Sequence, residues 1–589
     1  MLLIELCLTV LVVPLALLAP RLADRWFTWI ERRISQFAVR RKLAVLTILL
    51  LALAARVAVL PIEPIPQPGI HDEFSYLLMA DTFAHGRVSN PTHPMWVHFE
   101  TFHVNQQPTY CSKFFPAQGL FLTLGQTVFH HPFWGVWLST GLMCAAICWA
   151  LQGWMPPGWA FLGGILAIIR LGTFSYWANG YWGGAVAAIG GALVLGAFPR
   201  IKRRGRVRDA LILGLGLAVL GNNRPYEGVF YSAPILLALA MFILRSKDPM
   251  ASMRRVFLPL GIVLVVTLSA MGYYFWRCTG SPLSPPYTVN VKAYEAAPLL
   301  PWQDLKPTPT YRYLVMERFY TSWPIQQYYE ARHSPAVHML ARLLKGGLFF
   351  VGPALGLPWL FLGWILPYGM SLRQFGHKTG LLLATCFLSG IGLSIPVYFE
   401  PHYAAPVCCA FYALELQALR RIREWDRHGK QKGRALARYL ITACILLFAI
   451  RGFAGRLHLT ELPDFLQTWS VSRTGNFARA RILDSLGRQP GQHLVIIRYD
   501  SDHDPNQEWV YNGADIDGSK VVWARDMGEA QNLELIRYFK DRKVWLLEPD
   551  LTPPKLSAYS IIQSSTAYDP TAKLDTVSHP SSSYAPEVR

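Results

Sequence analysis

The sequence predicts an α-helical polytopic membrane protein that carries a small α/β unit near its C-terminus, outside the bilayer. Three observations predict this class. Of 589 residues, 52% are hydrophobic and only 16% are charged, where a soluble chain carries roughly 25% charge. The apolar residues gather in runs near the ~20-residue length of a membrane-spanning helix. Four short segments between those runs, 21–42, 200–208, 245–255 and 420–438, hold 25 of the 56 Lys and Arg residues. Short basic loops mark the cytoplasmic side. The net charge of +19 is therefore a statement of topology, and nucleic acid is not among the expected partners.

The elements follow in chain order. "MLLIELCLTVLVVPLALLAP" (1–20) lacks a positive leading region and is followed by Arg21 and Arg25, so it is expected to be a retained helix that starts outside. Further crossings are expected at 43–61, 134–152, 159–173, 183–199, 209–223, 228–244, 257–276, 347–370, 380–397, 403–419 and 438–453, about twelve in all. Segment 117–129 is also apolar. Counting it as a crossing would put the basic loop 200–208 outside, so it is read as an interfacial helix. The organisation is then an N-terminal helix and basic loop (1–42), a membrane core (43–453) with outer loops 62–116 and 277–345, and an extracytoplasmic unit (454–552). A Pro/Ser/Thr-rich tail (553–589) is expected to be disordered. Within the unit, "QHLVIIRYD" and "KVWLLEPD" read as strands and "GEAQNLELIRYFKD" as the helix between them, over about 492–552.

The first outer loop carries the densest chemistry. In "GIHDEFSYLLMADTFAHGR" (69–87), Pro68-Gly69 breaks the chain; Phe74, Leu77, Leu78 and Ala84 then recur at helical spacing until Gly86. Asp72 and Glu73 fall at the start of this helix, on the outer membrane face. One reading is structural: Asp72 as N-cap and both acids favouring the helix dipole. The other is functional, because the same loop adds His71, Glu100, His103 and Lys113 among aromatics, a density no mere connection needs. Three more outward helix ends repeat the pattern: "FSYWANGYWGG" with Asn179, "NNRPYEG" with Arg224 and Glu227, and "YFEPHYAAP" with Glu400 and His402. Each alone fits an interfacial aromatic belt. Together they predict a cavity at the outer boundary, acidic on one wall and able to bind phosphate through Arg224, His402 or Lys113.

Most of the nine cysteines lie in apolar runs as small core residues. Cys111 and Cys278 fall outside, and a disulfide between them is an open option. A divalent metal is another, since Asp72, Glu73, Glu100 and the loop histidines are suitable ligands, although their spacing follows no metal rule. "YDSDHDPNQEW" (499–509) is superficially Ca²⁺-like but lacks the Gly and final Glu of an EF-hand loop, so an exposed acidic turn is expected.

The Asp-Glu pair at the start of a juxtamembrane helix, followed by "YCSKFFPAQG" leading into an apolar helix, resembles membrane glycosyltransferases of the GT-C superfamily. Protein O-mannosyltransferases and lipid A aminoarabinose transferases are the nearest in pattern. The matching residues are Asp72, Glu73, Tyr76, Ala80 and Gly86, with Phe115-Pro116 where Pro-Pro is usual. "PHYAAP" resembles a late segment of related transferases. One departure is Asn179, where relatives often carry a second acid. The resemblance implies a GT-C-like core in the plasma (inner) membrane of a cell envelope. It implies a polyprenyl-phosphate-sugar donor and transfer to a glycan, lipid or protein acceptor on the outer face. Asp72 would be the base of an inverting reaction, and Glu73 would orient it or bind sugar hydroxyls. Arg224, Lys113 or Arg277 would stabilise the lipid phosphate. Two other classes stay open: a transporter or flippase of lipid-linked sugar, and a non-catalytic lipid-sugar-binding or envelope scaffold protein. Transporters tend to place ionisable groups mid-helix in paired halves; here the spans are clean and the polar groups crowd one face.

Overall fold

The computed structural model describes residues 2–365, 376–425, 431–454 and 475–560. Its apolar runs fold as helices close to their expected places: α1 (Leu2–Leu18), α2 (Asp24–Ala38), α3 (Arg41–Ala58), α4 (His71–Ala84), α5 (Pro116–Phe129), α6 (Phe133–Trp154), α7 (Pro157–Ala167), α8 (Ala185–Arg204), α9 (Val207–Gly221), α10 (Pro225–Leu244) and α11 (Pro249–Thr279). The second outer loop contributes α12 (Pro286–Tyr294), α13 (Leu314–Thr321) and α14 (Trp323–His333). There follow α15 (Pro335–Phe350), α16 (Gly352–Ile365), α17 (Gly376–Ser394), α18 (Cys408–Glu424) and α19 (Lys432–Ala454).

Among the described residues, α6, α8, α10, α11 and α19 are long and apolar enough to cross a bilayer, and α15 with α16 makes a sixth if that bent pair is one span. The other expected crossings are shorter or carry charge. Helix α9 stops after 15 residues, and α3 begins at Arg41-Lys42 and ends near Arg56. The expected span 347–370 is broken by a 107° bend between α15 and α16. Gly352 sits at that bend with φ +63°, and a Cβ there would lie 2.4 Å from both Arg170 and Glu5. Those two form a buried ion pair of 3.2 Å that ties α1 to the segment after α7. The basic loop 21–42 is also more ordered than expected. Most of it is α2, held down by Glu31, which Arg423 and Arg438 approach to 2.5 and 2.9 Å.

Helix α6 occupies the middle of the bundle, against α3, α5, α7 and α8. Small residues let α8 come close to its neighbours: a Cβ on Gly191 would lie 1.9 Å from the carbonyl oxygen of Pro406. That contact seats the 3-10 turn Pro401–Val407, which carries "PHYAAP", against the bundle.

Beyond the bundle, α20 (Phe477–Arg488) leads to a sheet of β3 (His493–Ile497), β4 (Val521–Arg525), β5 (Lys543–Glu548) and β6 (Lys555–Ala558), with α21 (Glu529–Tyr538) between β4 and β5. The first outer loop holds the short pair β1 (Val104–Asn105) and β2 (Cys111–Ser112). The sheet order is β4-β3-β5-β6, parallel except for β6. Strand β3 is buried along its whole length, as an inner strand of a parallel sheet is, and so is β4 at the sheet edge. The sheet shares a core with the outer loop, in which Phe74, Phe99 and Tyr110 pack with Leu494, Ile496 and Tyr511.

Two expectations are corrected here, and one open option is closed. The tail expected to be disordered from 553 first adds β6 to the sheet edge; residues 561–589 lie outside those described. The acidic turn 499–509 is not wholly exposed, because Glu508 is buried and lies 2.6 Å from Arg525. Cys111 and Cys278 are both free thiols, buried in one cluster with Met79, Tyr274 and Phe275.

Candidate active site

The Pro68-Gly69 break sets Ile70 in an extended conformation as the cap of α4, so His71, Asp72 and Glu73 are the first three helical residues. Asp72 is therefore not the N-cap. The capping group is Glu73, whose Oε2 accepts the backbone N–H groups of Gly69 (2.8 Å) and Ile70 (3.4 Å). Its Oε1 accepts a third, from Tyr181 (2.9 Å), in the irregular turn after α7. Both oxygens of Glu73 thus hold backbone in place. Burial raises the carboxyl to about 7 against the pull of these three N–H groups.

Asp72 is free for other work. Its Oδ1 lies 2.5 Å from His103 Nδ1, and about a fifth of the side chain is exposed. His103 is a non-glycine residue with φ +59°, a conformation that marks over-determined, often functional positions. It is fixed through its carbonyl, which accepts Ser75 Oγ at 2.7 Å and the Lys113 amide at 3.2 Å. Burial alone would push Asp72 up. The His103 ring and the Lys113 charge overcome this and hold its carboxyl well below the usual carboxylate range. Burial, with Lys113, pushes His103 down, against the pull of Asp72.

Around this pair the separate outward clusters converge. Arg224, at the N-terminus of α10, places its guanidinium 4.3 Å from the centre of the Tyr403 ring and feels the charges of Glu227, Tyr76 and Asp72. It has no ion-pair partner among the described residues. His402 Nδ1 is hydrogen-bonded to Tyr176 Oη at 3.0 Å, and its field reaches Asp72. Glu400 is neutralised by Lys345 at 2.6 Å. Lys113 is 3.6 Å from Glu295 and lies over the Phe114 and Tyr287 rings. Tyr76 stacks on Phe114 with 4.5 Å between centroids.

His71 packs against Phe102 and, edge-on, against His103, with ring centroids 4.2 and 5.7 Å away, and lies within 2.8 Å of Tyr511 Oη. Tyr511 also stacks on Phe74 at 4.1 Å, so the sheet unit braces the first turn of α4. A cavity of about 360 Å³ opens alongside, between Tyr313, Val315 and Arg318 of the second outer loop and the ends of β3 and β4.

Three candidates do not join the Asp72 cluster. Glu100 accepts Tyr294 Oη at 2.8 Å and lies 3.6 Å from Arg312. Asn179 donates to the carbonyls of Thr173 and Ser175, both at 2.9 Å. Arg277 is exposed at the end of α11, over Trp276. Four residues the sequence reading passed over matter here: Tyr403, Lys345, Glu295 and Tyr511. Tyr403 lay within "PHYAAP", and Lys345 stood with Arg342 in the largely apolar stretch "ARLLKGGLFF"; Tyr511 carried no local signal.

Among the described residues, the candidate ligands of a divalent metal already hold other partners. Glu73 is used by three amides, Glu100 by Tyr294 and Arg312, and Asp72 by His103. No group of three His, Cys, Asp or Glu side chains among the described residues converges on one point.

No protein-family model matches the chain, and no curated protein matches it in sequence. Among solved structures it is similar to ArnT from Cupriavidus metallidurans in the apo state, at 13% identity and TM-score 0.48, covering 85% of this chain and 92% of that one. The same protein bound to undecaprenyl phosphate gives 14% identity and TM-score 0.41, over 85% and 92%. The Archaeoglobus fulgidus oligosaccharyltransferase in complex with Zn and sulfate gives 14% identity and TM-score 0.44, over 85% and 67%. All three likenesses have TM-scores below 0.5, and the chemistry of this chain is argued from its own residues.

Proposed function

We propose that the chain is an integral membrane glycosyltransferase that moves a sugar from a polyprenyl-phosphate donor to an acceptor hydroxyl, with inversion, at the outer face of the plasma membrane. The observation that carries this reading is the Asp72 carboxylate, 2.5 Å from His103 and within the electrostatic reach of Arg224, which has no ion-pair partner among the described residues. In this arrangement the lipid tail stays in the bilayer, the phosphate meets Arg224, and the sugar faces Asp72. The bond between the anomeric carbon and the phosphate oxygen breaks, and its electron pair leaves with the phosphate. The acceptor oxygen attacks from the opposite side and gives its proton to the Asp72 oxygen not engaged by His103. Arg224 stabilises the charge that grows on the leaving phosphate. The carboxylate also faces the positive charge that develops on the sugar.

The shorter apolar helices complete about twelve crossings in this reading, and the sheet unit is extracytoplasmic. The junction cavity lined by Arg318 and Arg525 is where the acceptor enters. Glu73 orients Asp72 by fixing the start of α4, rather than by touching sugar.

The test is donor binding by Arg224→Ala, measured with a labelled polyprenyl-phosphate sugar on purified protein that keeps its gel-filtration profile and thermal midpoint. A lost charge-assisted contact to phosphate is worth about 1.5–3 kcal/mol, so affinity is expected to fall roughly 10- to 100-fold. Unchanged affinity in a folded variant would remove Arg224 from the donor site.

A further inference from the structure

On the side of the basic loops, four helix ends enclose a second cavity, of about 410 Å³. Arg41 and Lys42 begin α3, Arg200, Arg203 and Arg204 end α8, and Arg208 lies in the first turn of α9; no carboxylate lines the walls. A positive-inside topology needs cations in these loops, but it does not need six of them around one cavity. Two are already engaged: Arg200 donates to the carbonyls of Gly196 and Trp149 (2.6 and 2.7 Å), and Arg203 to those of Pro199 and Gly153 (3.0 and 3.2 Å). Arg200 also lies 3.8 Å from the Trp149 ring centre.

Three of the other four are placed against the helix dipole. Arg41, Lys42 and Arg208 stand at helix N-termini, where the dipole already presents positive charge and a cation is disfavoured. Arg41, Lys42 and Arg204 have no acidic partner among the described residues, and Arg208 has only the Asp209 next to it, at 3.8 Å. The acids of α2 make the contrast. There, Arg423, Arg434 and Arg438 each lie within 4 Å of Asp24 or Glu31. One set of cations is neutralised from within the chain, and the other waits for an anion.

We infer that this cavity binds a phosphate group, supplied by an anionic lipid headgroup at the cytoplasmic membrane surface. Basic pockets between helices on that side are suited to such headgroups. The site is separate from the Asp72 cleft and does not depend on the transferase reading.

The experiment is native mass spectrometry of the full chain in a neutral detergent, with thermal midpoints in parallel. Three additives are compared: phosphatidylglycerol, phosphatidylcholine and inorganic phosphate. The variants are Arg41→Gln/Arg204→Gln/Arg208→Gln, which spares the carbonyl-bound arginines, and a control that removes three charges elsewhere, Arg245→Gln/Arg254→Gln/Arg255→Gln. Wild type and control are expected to retain phosphatidylglycerol but not phosphatidylcholine. The triple variant should bind it about a hundredfold more weakly, on the scale of about fivefold per cation. Stabilisation by inorganic phosphate alone, lost in the triple variant, would support the same site with a soluble phosphate as its ligand. Equal binding by wild type and triple variant, or an equal loss in the control, would overturn the proposal. If the triple variant fails to fold, Arg204→Gln alone carries the comparison, with about a fivefold loss expected and no loss contradicting it.

Discussion

Asp72→Asn is expected to lower sugar transfer by about 10²- to 10⁴-fold, the range a positioned general base supplies, while expression and donor binding stay near wild type. Asparagine keeps the size of the side chain and can still meet His103, but it cannot take the acceptor's proton or carry charge beside the sugar. The cap of α4 belongs to Glu73, so the fold has no need of a carboxylate at position 72. Turnover of a labelled donor by purified protein checks this, with the thermal midpoint as control. Activity at the wild-type level would remove Asp72 as the base, however well it sits beside His103.

Glu73 carries the second large effect, and this one is on stability. Its carboxyl rises from 4.5 to about 7 in the folded chain, chiefly through burial. Between those values the folded state holds a proton that the unfolded state has lost. Stability is therefore fully present below about pH 4.5 and falls as pH rises towards 7, by about 1.4 kcal/mol per unit and roughly 3 kcal/mol in all. Glu73→Gln should remove this slope, because the amide does not titrate. Glu73→Ala should cost about 3 kcal/mol or more at any pH, since the amides of Gly69, Ile70 and Tyr181 lose their acceptor at once. Thermal unfolding in detergent from pH 4.5 to 8 reads both. A Gln variant with the wild-type slope would show that another group titrates in that window.

The two acids also show where sequence reading stops. That an acidic pair opens a helix at 71 was legible, because the Pro68-Gly69 break and the spacing of Phe74, Leu77 and Leu78 are local signals. Which acid caps and which stays free was not. That division depends on the Tyr181 amide and on a left-handed His103, both distant in the chain. The bracing of His71 by Tyr511, 440 residues away, left no trace in either segment. Strands β3 and β5 stood out as apolar runs, whereas β4, inside "GSKVVWARDMG" and no shorter than β3, was not read as a strand. The basic loop 21–42 was legible as topology, but its folding into α2 needed the arginines of α18 and α19. Asp72, Arg224 and His402 are grouped by the sequence because the segments that carry them repeat one composition. Glu100, Asn179 and Arg277 shared that composition, and tertiary contacts turned them elsewhere.

The central claim, a lipid-phosphate sugar donor held over Asp72, is tested most directly by native mass spectrometry of the protein purified in mild detergent, as wild type and as Asp72→Asn. The account predicts a co-purifying polyprenyl-phosphate sugar, enriched in the variant because the donor binds and transfer stalls, with the sugar identified by its mass. Absence of any polyprenyl species from both proteins would contradict it.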